Sequence, residues 1–208
     1  MKVNANVLKR FVIYMAILTF VMFTVWALVR SFMNRPPGDY ETEVCDMRLK
    51  DQLYDKAIQA ANTALEKTPN HRGAIMCKAL VFISQKMYLE ANEELNYLIN
   101  FLEKSLEDDD KTGKGTLAAA YANRGIIKDR NKNYEEALKD YVKALGIDHE
   151  SVAGPGLGTI ILNYKFKSSS VKERALYLNE QLQLPENERI LSIKELDEGQ
   201  VMHKPSKL

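Results

Sequence analysis

The sequence predicts an all-α chain: a single N-terminal transmembrane helix followed by a solenoid of helical hairpins. Three observations predict it. Residues 11–29, FVIYMAILTFVMFTVWALV, run without a charge. Beyond them an amphipathic helical pattern recurs with Tyr and Ala in fixed register. Between the two lies Asn34-Arg-Pro-Pro-Gly38, whose prolines and glycine end one helix before the next begins.

The apolar run comes first. A helix rises roughly 1.5 Å per residue, so this run is long enough to cross a hydrocarbon layer about 30 Å thick. Lys9 and Arg10 flank it on one side, Arg30 and Arg35 on the other, and Trp26 stands where aromatic anchors meet a membrane interface. A cleaved signal peptide has a shorter apolar region and small residues at its cleavage site. Here the run ends Ala-Leu-Val-Arg-Ser-Phe, which favours an uncleaved anchor over residues 1–33. Lys2, Lys9 and Arg10 outnumber Arg30 and Arg35 by one, so the charge bias favours the amino terminus inside. The expected location is a bacterial inner membrane, with the remainder of the chain on the periplasmic side.

Composition narrows the function. Net charge is +1, so nothing in the overall balance points to nucleic acid. Cys45 and Cys77 form no C-x-x-C or zinc pattern, and nothing in their spacing supports a disulfide. Asp108-Asp109-Asp110 lacks the alternating ligands of a calcium loop. DKTGKGT and AGPGLGT lack the spacing of phosphate-binding loops. His71, His149 and His203 are dispersed, and no catalytic set stands out. The expectation is therefore a non-enzymatic chain without a metal or cofactor.

The helical pattern repeats. LYDKAIQAANTALEKTP at 53–69 aligns with NYEEALKDYVKALGIDH at 133–149, matching Tyr54 with Tyr134, Ala57 with Ala137 and Ala64-Leu65 with Ala144-Leu145. Tyr88 and Ala91 fall in the same register. Tyr54 to Tyr88 spans 34 positions, and Tyr88 to Tyr134 spans 46. The excess is expected as a polar loop around residues 107–115. A small or modest residue recurs nine positions before each Tyr, at Cys45, Ala79 and Gly125. Asn133 with Glu136, and Ser170 with Glu173, have capping-box spacing at two helix starts.

These residues resemble the tetratricopeptide repeat family, whose 34-residue unit is a helix–turn–helix. Tyr121, Gly125, Tyr134, Ala137, Tyr141 and Ala144 carry the resemblance best. The first unit departs at Ala61, where the family often has an aromatic, and the second has Leu95 and Leu98 at its last apolar positions. The expected organisation is an anchor over 1–33, a linker over 34–38 and repeats over 39–184. Units lie near 38–71, 72–105 and 118–151, with an insertion at 106–117 and a divergent unit at 152–184. That last unit offers Thr159, Val171, Ala175 and Leu178, with Ser168 in place of the Tyr. Stacked hairpins bury a continuous core, so the repeat tyrosines and alanines are expected inside. Residues 185–208 are expected as a capping helix, with Ile190, Leu191, Ile193 and Leu196 on its apolar side, and a flexible tail.

The resemblance implies a concave groove lined by the first helix of each pair. Its candidates are Thr42, Asp46 and Lys50, then Met76, Leu80 and Ile83, then Ala119, Ala122, Ile126, Asp129 and Arg130. An apolar centre with charged ends suits an apolar or amphipathic segment of a membrane or envelope protein. Some chaperone-binding relatives use a Lys/Asn/Arg clamp for a carboxylate terminus, but here Thr42, Glu43 and Asp46 stand at the matching positions. The alternative is that the apolar members are core, or are covered by the chain's own tail. The expected function is a membrane-tethered adaptor in the assembly of a membrane or envelope complex. A permanent accessory subunit, or a scaffold that self-associates as a homo-oligomer, is the competing reading.

Overall fold

The computed structural model describes residues 5–33, 35–149, 152, 170–193 and 200. The elements are helical: α1 (Ala5–Met33), α2 (Asp39–Lys50), α3 (Tyr54–Lys67), α4 (Arg72–Ser84), α5 (Tyr88–Ser105), α6 (Lys111–Arg130), α7 (Tyr134–Ile147), α8 (Val171–Leu182) and a 3-10 turn at Glu186–Glu188. In α1 the stretch Asn6–Arg30 is long and apolar enough to cross a membrane, and its side chains are exposed. Thr19 and Thr24 donate their hydroxyls back to the carbonyls of Met15 and Val21, so neither needs an outside partner.

The helices α2 to α7 form three hairpins, each closed by the same turn. Gln52, Lys86 and Lys132 occupy it at φ of 60°, 61° and 64°. The next amide reaches back into the first helix, from Leu53 to the Arg48 carbonyl, Met87 to Phe82 and Asn133 to Lys128, at 2.8, 2.9 and 2.8 Å. This left-handed cap satisfies carbonyls that the helix end would leave open. It also leaves Asn133 at φ −87°, ψ 63° without a side-chain cap, contrary to the expected capping box. Glu136 turns instead to Lys139 and Lys128. Ser170, in extended backbone, does form its box: it accepts from the Glu173 amide, and Glu173 accepts from the Ser170 amide.

Small residues set the helix spacing. A Cβ on Gly125 would lie 2.6 Å from the Tyr141 ring, so α6 and α7 approach closely only because that atom is missing. Ala79 and Cys45, in the same register, are fully buried. At the start of α2, Gly38 adopts φ 93° against the His71 ring, a conformation other residues rarely take.

Four further expectations change. Residues 111–115 are the first turns of α6, not loop; α5 and α6 lengthen and absorb most of the extra residues between the second and third units. Asp110 starts α6 by accepting from the Gly113 amide at 2.7 Å. Tyr54, Tyr88 and Tyr134 are only half-buried, because each opens its helix at the edge of the core, whereas Tyr121 and Tyr141 lie inside. Cys45 and Cys77 are joined as a disulfide, with Cα atoms 6.4 Å apart. Stacking of α2 on α4 brings them together among Ala57, Ala61 and Val81. Residues 185–193 do not form the expected capping helix. Beyond the 3-10 turn they run extended along α8, held by Gln181 to the Ile190 amide, Tyr177 to the Ile190 carbonyl and Arg174 to the Leu191 carbonyl. Those bonds hold Leu191 against the core but leave Ile190 exposed. Thr159, Ser168, Leu196 and most of the tail lie outside the described residues.

Candidate functional site

The first helices α2, α4 and α6 carry the eleven residues expected to line a groove. Thr42 is buried and donates its hydroxyl to the Gly38 carbonyl at 2.9 Å. Its oxygen also lies 3.3 Å from Nδ1 of His71, which accepts from the Ala74 amide at 3.2 Å. With Nδ1 accepting, the proton sits on Nε2 and points at Asp39, 2.9 Å away. Thr42 thus belongs to the joint between linker and first hairpin. Asp46 is half-buried and Lys50 is exposed.

The apolar centre is closed. Met76, Leu80, Ile83, Ala119, Ala122 and Ile126 are each no more than 4 % exposed. They share one contiguous core with Val152, Val171, Ala175 and Leu178. Asn123, next to this row, donates to the Met76 sulfur at 3.6 Å. The correction concerns access: the family resemblance implied that these side chains line a groove, but each of them is buried in the folded chain.

Asp129, at the end of α6, is buried in a polar network. Its carboxylate receives two hydrogen bonds from Arg174, both 2.7 Å, and others from Tyr141 and Gln200 at 3.1 and 2.8 Å. Burial pushes the Tyr141 phenol well above its ordinary pKa, and the neighbouring Asp129 charge adds to the effect, so the hydroxyl stays protonated and donates. Arg174 stands on the same face of α8 as Val171, Ala175 and Leu178. A charge on an apolar face signals a buried partner, but the sequence does not identify which one.

A second charged seam joins α5, α6 and α7. Arg124 holds Asp140 through two bonds of 2.8 Å and Asn96 through a third of 2.7 Å, and Lys128 reaches the same Asp140 at 2.8 Å. These cations are fully engaged within the fold.

Arg130 remains open. It lies at the end of α6, exposed, on the rim of a cavity of about 290 Å³. Tyr88 and Tyr134 wall that cavity, with Lys132 on the turn and Ser192 and Gln200 from the C-terminal region. Lys132, Ser192 and Gln200 escaped the sequence reading; the left-handed turn at Lys132 and the fold-back of the C-terminal chain bring them there. Among the described residues no group of three or more His, Cys, Asp or Glu is placed to hold a metal ion.

Residues 118–151, the α6–α7 hairpin with its flanks, match the tetratricopeptide repeat family. No curated protein matches the chain.

Proposed function

We propose that this chain is a membrane-tethered adaptor that holds a protein partner during assembly or organisation of a membrane or envelope complex. The observation that carries this reading is the tetratricopeptide hairpin at 118–151, a protein-interaction module, in a chain whose α1 can span a bilayer. Tethering would confine the repeats near the membrane and raise their effective concentration for partners there. The Cys45–Cys77 bond supports an oxidising compartment for the repeats, since such bonds persist outside reducing cytoplasm. That agrees with the amino-terminus-inside reading and a periplasmic repeat domain. In this reading the row from Met76 to Ile126 receives an apolar segment only after the buried face opens.

Site-specific photo-crosslinking of the full chain in its native membranes, followed by purification, tests the adaptor reading. A discrete crosslinked protein is expected from probes on α4 and α6; crosslinks to lipid alone would sink it. The closed face favours a second reading, a permanent accessory subunit or self-assembling scaffold, because neither needs a groove to open. A partner retained at fixed stoichiometry through purification, or an oligomer of the pure chain, would select it.

A further inference from the structure

We infer that the cavity at the α6–α7 turn is a docking point for an acidic segment of the partner protein, an inference that rests on the adaptor reading. Arg130 and Lys132 stand exposed on either side of the helix end. Their neighbours are engaged: Arg124 and Lys128 with Asp140, Arg174 with Asp129. Arg130 and Lys132 take part in none of the ion pairs among the described residues; Arg130 has only the face of Tyr88, 5.9 Å from its guanidinium carbon. Among the described residues that line the cavity the carboxylate is Asp129, which the bidentate Arg174 neutralises. Among the described residues that line it, the mouth is therefore net positive, with Arg130 and Lys132 both on its lining.

Shape and walls narrow the ligand. At about 290 Å³ the cavity lies at the small end of ligand sites, which run roughly 300–1,000 Å³, so it takes one or two side chains rather than a cofactor. Tyr88 and Tyr134 are equivalent residues of successive hairpins and give it aromatic sides for the aliphatic stem of a Glu. The same turn places Lys86 one unit back and Lys50 at the end of α2, both exposed. Equivalent turns of stacked hairpins line up along one edge. An extended acidic peptide can follow that edge and anchor one carboxylate between Arg130 and Lys132, where a charge-assisted hydrogen bond is stronger than a neutral one. Glu135 and Glu136 border a neighbouring cavity together with Lys132 and Arg189, and Glu136 already pairs with Lys139.

The test uses the full oxidised chain in phosphatidylcholine nanodiscs and a short fluorescent peptide rich in Glu and Asp. A peptide with Gln and Asn at those positions is the control. Fluorescence anisotropy should show binding of the acidic peptide only, weakened by salt. Arg130→Gln and Lys132→Gln should each weaken it about tenfold, with circular dichroism unchanged because both side chains are exposed. Equal binding of the two peptides, unchanged binding by the double variant, or no binding would overturn the inference. So would binding confined to phosphatidylglycerol vesicles, which would assign the cations to lipid headgroups. Crosslinking in native membranes separates the two levels. If the double variant keeps its crosslinked partner and the acidic peptide fails to bind the wild-type chain, this site falls and the adaptor stands. If the wild-type chain crosslinks no protein, the adaptor reading itself falls.

Discussion

Asp129 on α6 and Arg174 on α8 meet through two hydrogen bonds of 2.7 Å, with side chains 3 % and 1 % exposed. They lie 45 positions apart, and their contact ties the C-terminal helix to the third hairpin. Removing one partner leaves the other charge buried and unpaired, which costs about 3–5 kcal/mol. Arg174→Met should therefore lower the urea midpoint of the repeat domain sharply. The double variant with Asp129→Asn should recover much of the loss, since no buried charge remains. Equal loss in single and double variants would show that packing, not charge, dominates this joint.

The Cys45–Cys77 bond closes a loop across the first hairpin and into the second, with sequence separation 32. A loop of that size is worth about 3–4 kcal/mol in unfolded-state entropy. Purified non-reduced chain should show no maleimide-reactive thiol, and two after reduction and denaturation. Replacing both residues with Ala should lower stability by an amount of that order. A reactive thiol in the untreated protein would contradict the pairing.

Two glycines of the third hairpin should respond oppositely to Ala. At Gly125 a Cβ meets the Tyr141 ring at 2.6 Å, so Gly125→Ala should force α6 and α7 apart and cost about 1–3 kcal/mol. At Gly146, in α7, nothing lies within 4 Å, so Gly146→Ala should be neutral or stabilise by about 0.5–1 kcal/mol. Thermal unfolding followed at 222 nm separates the two. Matching effects would mean the close approach of α6 and α7 is wrong.

Asp110 caps α6 and pairs with Arg72, linking the starts of α4 and α6. The Arg72 hydrogen bond, then the Gly113 amide, hold its carboxyl below the ordinary range. A depressed folded pKa contributes stability above the unfolded value, near 3.9, and that stability is lost as pH falls through the folded value. The side chain is about a third exposed, so the ion pair itself is weakened by solvent. Asp110→Ala should cost about 1 kcal/mol at neutral pH, mostly as a lost cap. Stability curves of the two proteins should converge below about pH 3. A gap that persists there would assign the cost to packing.

Much of the local architecture was legible in the residues. The uncharged run over 11–29 specifies a long apolar helix whatever surrounds it. The Tyr and Ala register at 54, 88 and 134 specifies hairpins, because residues three and four apart share a helix face and only neighbouring hairpins can cover it. The family resemblance implied Arg130 as a groove residue, and the fold sets it on the rim of a cavity at the α6–α7 turn. Which faces stay open was decided by tertiary structure. Cys45 and Cys77 meet only when α2 stacks on α4, and Asp129 finds Arg174 only when α8 folds back on α7. In the folded chain Met76, Leu80 and Ile126 are buried. Periodicity encodes which side of a helix is apolar, an interaction within a few residues. It carries no information about which distant segment arrives to cover that side, because that choice rests on contacts across the whole chain.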